Sequence, residues 1–127
     1  MNSQILLVDD DLIQSTVRNT ILSRSGFRVV VARQADEAML LLERPELLSS
    51  LRLMITDHLM PGMNGPELVK HLRTILPSLP VLVLSGLADA ESEYEGLQVS
   101  FQLKPFPPEE MIRMVNLLLG NPILRSA

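Results

Sequence analysis

The sequence predicts an α/β fold, a doubly wound five-stranded parallel sheet with helices on both faces. Three observations carry this reading. Strand-like and helix-like stretches alternate five times along 127 residues. The strand-like runs are almost continuously apolar, as expected when both faces of a sheet are covered. Apolar residues make up 46% of the chain and charged residues 20%, enough for one core in one domain spanning residues 1–127.

Each element has a local reason. Gln4 to Val8 (QILLV) is a short apolar run and the first strand. Leu12 to Arg24 follows as a helix, with Leu12, Ile13, Val17, Ile21 and Leu22 at helical spacing, Asp11 as its N-cap and Gly26 as its stop. Arg28 to Ala32 (RVVVA) is β-branched and reads as a strand. Ala35 to Arg44 reads as a helix closed by Pro45, and Leu51 to Thr56 as the third strand. Pro66 to Leu76 is a helix with proline in its first turn and Pro77 beyond its end. Pro80 to Leu84 (PVLVL) is the fourth strand, and Asp89 to Tyr94 a short polar helical piece. Val99 to Leu103 is the fifth strand and Glu109 to Leu119 the last helix.

Functional residues of such sheets gather beyond the C-terminal strand ends, where strand order reverses. Strand one ends in Asp9-Asp10, strand three in Asp57, strand four in Ser85-Gly86 and strand five in Lys104-Pro105. With strand order 2-1-3-4-5, strands one and three are neighbours, so Asp9, Asp10 and Asp57 meet. At an effective dielectric of about 20, two carboxylates about 4 Å apart repel by up to ~4 kcal/mol. A hard cation with few protein ligands, Mg2+ above all, offsets that repulsion. A carboxylate beside it can attack phosphorus to give an acyl phosphate, while a lysine and a hydroxyl stabilise charge on the phosphoryl oxygens. Asp57 therefore reads as the nucleophile, and Asp9 and Asp10 as metal ligands. Asp11 reads mainly as a helix cap.

Other classes are excluded or disfavoured. The chain has no cysteine, which rules out disulfides and thiolate chemistry and is compatible with a cytoplasmic location. His58 and His71 read as surface residues, since no second histidine stands at zinc-binding spacing. The N-terminal residues do not read as a signal peptide, and no apolar run approaches the ~20 residues of a membrane span. A net charge of −4 and 3% aromatics argue against direct binding of nucleic acid.

The stretches "ILLVDDD", "MITDHLMPGMNGPEL", "PVLVLSG" and "LKPF" together resemble the response-regulator receiver domain of two-component signalling, over essentially the whole chain. The resemblance implies a flavodoxin-like fold. It implies a phosphoacceptor at Asp57 and Mg2+ held by Asp9, Asp10, Asp57 and the backbone carbonyl of Leu59. It also implies a switch pair, Ser85 and Phe101, and a phosphate-contacting Lys104 followed by a cis proline bond. The implied partner is a sensor histidine kinase or phosphotransfer protein. Such a module turns over only itself and is no enzyme in the ordinary sense.

Two features depart from the family pattern. Phe101 stands where tyrosine is commoner, so no phenolic hydroxyl is available there. The stretch from Ser85 to Lys104 is about one helical turn short, and its "LADAESEYEG" segment is acidic and poor in apolar residues, so the fourth helix should be stunted. The last helix carries a core stripe, Met111, Ile112, Val115, Leu118 and Leu119. Met114 and Leu117 lie beyond it. They read either as packing on the short fourth segment or as an interface for a second copy or an output partner. Leu59 and Leu87, each two residues past a site residue, should flank the path of a hydrolytic water.

The rival class is a small Mg2+-dependent phosphohydrolase with an aspartyl-phosphate intermediate, of the haloacid-dehalogenase type. It needs an acid two residues after the nucleophile, where this chain has Leu59. A flavin-binding flavodoxin is disfavoured because no hydroxyl-rich phosphate loop follows the first strand.

Overall fold

The computed structural model describes residues 4–60 and 62–121; Pro61, within the loop motif after Asp57, lies outside them. In chain order the elements are β1 (Gln4–Val8), α1 (Leu12–Arg24), β2 (Arg28–Ala32), α2 (Ala35–Leu41), α3 (Pro45–Ser50), β3 (Leu51–Asp57) and α4 (Gly65–Ile75). There follow β4 (Val81–Ser85), a tight 3-10 segment (Ala88–Tyr94), β5 (Ser100–Leu103) and α5 (Pro108–Leu118). The five strands form one parallel sheet in the order β2-β1-β3-β4-β5, the expected doubly wound arrangement.

Successive strand residues point to opposite faces, and this divides the core in two. Leu6 and Val8 of β1 join Met54, Val81 and Val83 under α2, α3 and α4. Ile5 and Leu7 join Leu53, Ile55, Leu82 and Leu84 under α1 and α5, through Leu22, Met111 and Val115. The register pairs Val8 with both Ala32 and Thr56, Asp57 with Leu84, and Ser85 with Leu103. The polar residues at or just past the strand ends are thereby brought to one rim.

Three local expectations need correction. The second helix ends at Leu41, and Pro45 opens the separate helix α3 instead of merely closing its predecessor. Proline suits the first helical position, because its φ is already helical and its missing N–H would have no partner. In α1, Leu12, Ile13 and Val17 are exposed, and the buried side chains are Ser15 and Leu22. The inward face is rotated from the apolar spacing because Arg18 occupies it. In α5, Met111 and Val115 are buried, Met114 is half-buried and Leu117 exposed, as expected for a pair beyond the core stripe, but Met114 packs on the α1 side of the core and not on the fourth segment.

The fourth helix is indeed reduced, to the Ala88–Tyr94 segment. Two devices hold it and the loop that follows it. Tyr94 is buried in the core beneath α4. Arg73 of α4 donates to four carbonyls, those of Leu76, Leu79, Leu97 and Gln98, at 2.7–3.2 Å. It thus ties the end of α4 to the loop before β5, where Gln98 takes a left-handed φ of 58°. Replacing Arg73 with methionine keeps the stem and removes the donors. The loss should be about 2 kcal/mol of stability in urea unfolding; an unchanged midpoint would mean that water serves these carbonyls equally well.

Candidate functional site

The site lies at the C-terminal ends of β1, β3, β4 and β5. Asp9 follows β1, and its N–H donates to Ala32 O at 3.0 Å, which fixes it to the end of β2. Asp57 closes β3. The next N–H, of His58, donates to Leu84 O at 2.9 Å. Lys104 follows β5, with its N–H donating to Ser85 O at 2.7 Å, and the Lys104–Pro105 bond is cis. Asp9, Asp57 and Ser85 are all buried, whereas Asp10 is exposed.

Asp9, Asp10 and Asp57 each place a carboxylate oxygen within 4.8 Å of the others. Such hard oxygen donors, one of them open to water, fit a small divalent cation that keeps part of its hydration. Lys104 Nζ lies 2.9 Å from Asp57 Oδ1 and 3.5 Å from Gln14 Oε1. Asp10, Asp57, Leu59 and Lys104 line one open cleft of about 630 Å3, shared with Leu12, Ile13 and Gln14 of α1. Asp11 is a cap as expected: its carboxylate accepts from Gln14 N–H at 2.9 Å.

Ser85 is at the rim, but its hydroxyl is engaged locally, with Leu87 N–H donating to Oγ at 3.0 Å and Oγ 3.3 Å from Leu87 O. Phe101 is half-buried and faces the Tyr94 ring at a centroid distance of 6.0 Å. Leu59 and Leu87 are exposed beside Asp57 and Ser85 in sequence, and Leu59 reaches the cleft.

Two functional contacts escape the sequence reading. Arg18 Nη1 lies 2.7 Å from Asp9 Oδ2 and 3.2 Å from Asp57 Oδ1. With Lys104 it supplies two side-chain cations to the cluster, so the expected bare repulsion is partly offset within the chain. His58 is buried, not a surface residue: Nδ1 is 2.7 Å from the Tyr94 hydroxyl and Nε2 is 3.3 Å from Glu93 Oε2. Burial, and then the Glu93 charge, push the Tyr94 hydroxyl well above the ordinary phenol range. The available signal was the one tyrosine of the chain, set in a segment otherwise poor in apolar residues. Gly65 admits this tyrosine, because a Cβ there would collide with the phenol.

Residues 5–116 match the family model of the response regulator receiver domain. The chain belongs to the response-regulator receiver family. It is a signalling module of two-component systems, and its relatives include transcriptional regulators. The receiver is 30% identical over 118 residues to the uncharacterized transcriptional regulatory protein YbdJ of Bacillus subtilis, covering 91% of this chain and 50% of that protein. It is 32% identical to the putative two-component response regulator ARR21 of Arabidopsis thaliana, over 92% of this chain and 19% of that one. The chain thus spans half or less of the length of these curated relatives. Among solved structures, a receiver domain from Methanospirillum hungatei superposes with a TM-score of 0.87 at 23% identity, covering 94% of this chain and 95% of that one. A response regulator receiver protein from Pseudomonas putida gives 0.82 at 30% identity, over 92% and 98%. Among the described residues of this receiver no helix is long and apolar enough to cross a membrane.

Burial pushes the Asp9 carboxyl up to about 7, reinforced by a hydrogen bond to Asp57 and by the Asp57 charge; the Asp11 N–H and Arg18 pull it down. Native Asp9 therefore keeps a proton that the unfolded chain, with its carboxyl at 3.8, has lost. Stability from this group is whole below about pH 4 and disappears as pH rises through about pH 7. In metal-free buffer, urea midpoints of the wild type should fall across that window relative to Asp9→Asn. Parallel profiles for the two proteins would contradict the shift.

Proposed function

We propose that this receiver accepts a phosphoryl group on Asp57 from a phosphohistidine of a sensor histidine kinase or phosphotransfer protein. The reading rests chiefly on one observation, a carboxylate at the end of β3 that carries the Lys104 ammonium at 2.9 Å and lines an open cleft. An Asp57 oxygen attacks phosphorus, the bond to the donor nitrogen breaks, and an acyl phosphate forms. Asp9, Asp10 and the backbone carbonyl of Leu59 are the residues that would hold Mg2+ with Asp57. The ion would neutralise charge on the transferring group.

The protein groups have separate tasks in this scheme. Lys104 orients Asp57 before transfer and contacts a phosphoryl oxygen afterwards. Ser85 can donate to the phosphoryl group only by turning its hydroxyl hydrogen away from Leu87 O, while Oγ can go on accepting from Leu87 N–H. That exchange links the site to the Ala88–Tyr94 segment and to Phe101, which packs on Tyr94. The output face then shifts between two populations. On that face α5 offers the exposed Leu117 to an output partner or a second copy, a narrower strip than the sequence suggested. The hydrolase reading gains nothing, since the exposed side chain at position 59 is a leucine and not an acid.

Acetyl phosphate or phosphoramidate with Mg2+ should add one phosphoryl mass to the intact chain. Asp57→Asn should abolish the addition and EDTA should prevent it. A normal mass shift in the Asn variant would sink the assignment.

Lifetime gives a second check. Leu59 and Leu87 cannot orient a water by hydrogen bonds, so self-dephosphorylation should be slow. Leu59→Asn combined with Leu87→Glu should shorten the phosphoryl half-life on the order of tenfold, less than the roughly hundredfold minimum for a group that itself transfers the proton, because these side chains only orient the water. An unchanged decay rate rejects this role for the two leucines.

A further inference from the structure

The inward face of α1 contains Ser15, Arg18 and Leu22. Ser15 and Leu22 are buried, and helical spacing makes position 18 the natural place for an apolar side chain between them. The chain sets an arginine there, and its side chain is only 13% exposed. A guanidinium at a core-facing position loses much of its hydration, and that loss is offset only by well-placed negative partners. Arg18 has two, and one nitrogen, Nη1, serves both Asp9 Oδ2 at 2.7 Å and Asp57 Oδ1 at 3.2 Å.

These are two of the three carboxylates that converge within 4.8 Å. The guanidinium therefore stands where a cation bridging Asp9 and Asp57 would stand. Charge leads to the same conclusion. With Arg18 and Lys104 in place, the three carboxylates retain one uncompensated negative charge once Asp9 has given up its proton, as it must to hold a cation. A dication joining them without a departure would leave the cluster positive, with two cations forced into close contact. Of the three carboxylates, Lys104 pairs with Asp57 and bridges no second one. Arg18 is the bridging group, on a long stem, and it reaches the cleft only through its contact with Asp57.

We propose that Arg18 is a built-in counter-cation that competes with the divalent metal for the Asp9–Asp57 bridge and so sets the metal affinity of this receiver. The inference rests on the reading of Asp9, Asp10 and Asp57 as a divalent-cation site. It makes metal entry an exchange: the ion takes the two carboxylates and the guanidinium returns to solvent. By linkage, the stabilisation that Arg18 gives the metal-free protein weakens the ion's binding by the same factor.

Titration calorimetry with Mg2+ tests the exchange in the wild type, Arg18→Met, Arg18→Lys and Arg24→Met. Arg24 is exposed in the last turn of the same helix and controls for a general loss of positive charge. Arg18→Met should bind Mg2+ on the order of tenfold more tightly than the wild type, with Arg18→Lys in between and Arg24→Met unchanged. Without metal, Arg18→Met should also unfold at lower urea than the wild type, and saturating Mg2+ should narrow that gap. Equal or weaker Mg2+ binding by Arg18→Met overturns the proposal, as does an equal gain in Arg24→Met. If Arg18→Met does not fold, Arg18→Lys decides, and binding no tighter than wild type rejects the exchange. No Mg2+ binding by any form overturns the metal reading itself, and the proposal with it.

Discussion

Two buried carboxylates, Asp9 and Asp57, lie side by side at the ends of neighbouring parallel strands, and the rest of the site answers to them. Parallel register puts them there: Val8 pairs with Thr56, so the residues that follow share the same rim. Neither can lose its water without compensation, because an unpaired buried charge is costly. The chain supplies that compensation from two distant elements, Arg18 on α1 and Lys104 after β5. Asp9 is further relieved by holding a proton more tightly than an ordinary carboxyl. A site built this way is acidic enough to attract a cation or a phosphoryl donor's counter-charge.

The same rim is tied to the weakest part of the sheet's cover. The Ala88–Tyr94 segment is too short and too polar to bury a helical face of its own. It is anchored instead by the buried Tyr94 and Ala90, while Arg73 holds the loop that follows it. Tyr94 enters the core over Gly65 and meets His58, the residue directly after Asp57. Phe101 of β5 also packs on Tyr94. A continuous line of contacts thus runs from the end of β3 to the edge strand. Ser85 and Leu87 form a second, shorter connection at the start of the same segment. Phe101 is half-buried against Tyr94, the one tyrosine of the chain, which stands seven residues earlier and is bonded to a histidine.

Strand number and strand type were legible from the chain, because continuous apolar runs leave few ways to cover both faces; the order 2-1-3-4-5 is a premise, which the structure bears out. The four strand ends and their polar residues were legible for the same reason: in a parallel sheet, position along a strand dictates position on the rim. The stunted fourth helix was visible as a shortage of apolar residues between Ser85 and Lys104. Such statements depend on local periodicity and on one topological rule.

What escaped depended on contacts across the chain. Leu12, Ile13 and Val17 have the spacing of a buried face, yet α1 turns them outward, because Arg18 is drawn inward to Asp9 and Asp57, the latter 39 residues away. His58 looked like a surface residue, since its partner Tyr94 is 36 residues away and the space between them exists only because position 65 has no Cβ. Periodicity measures the apolar preference of a helix or strand. It does not register a charge whose burial is compensated by another element, and those pairings form only when the sheet brings their strand ends together.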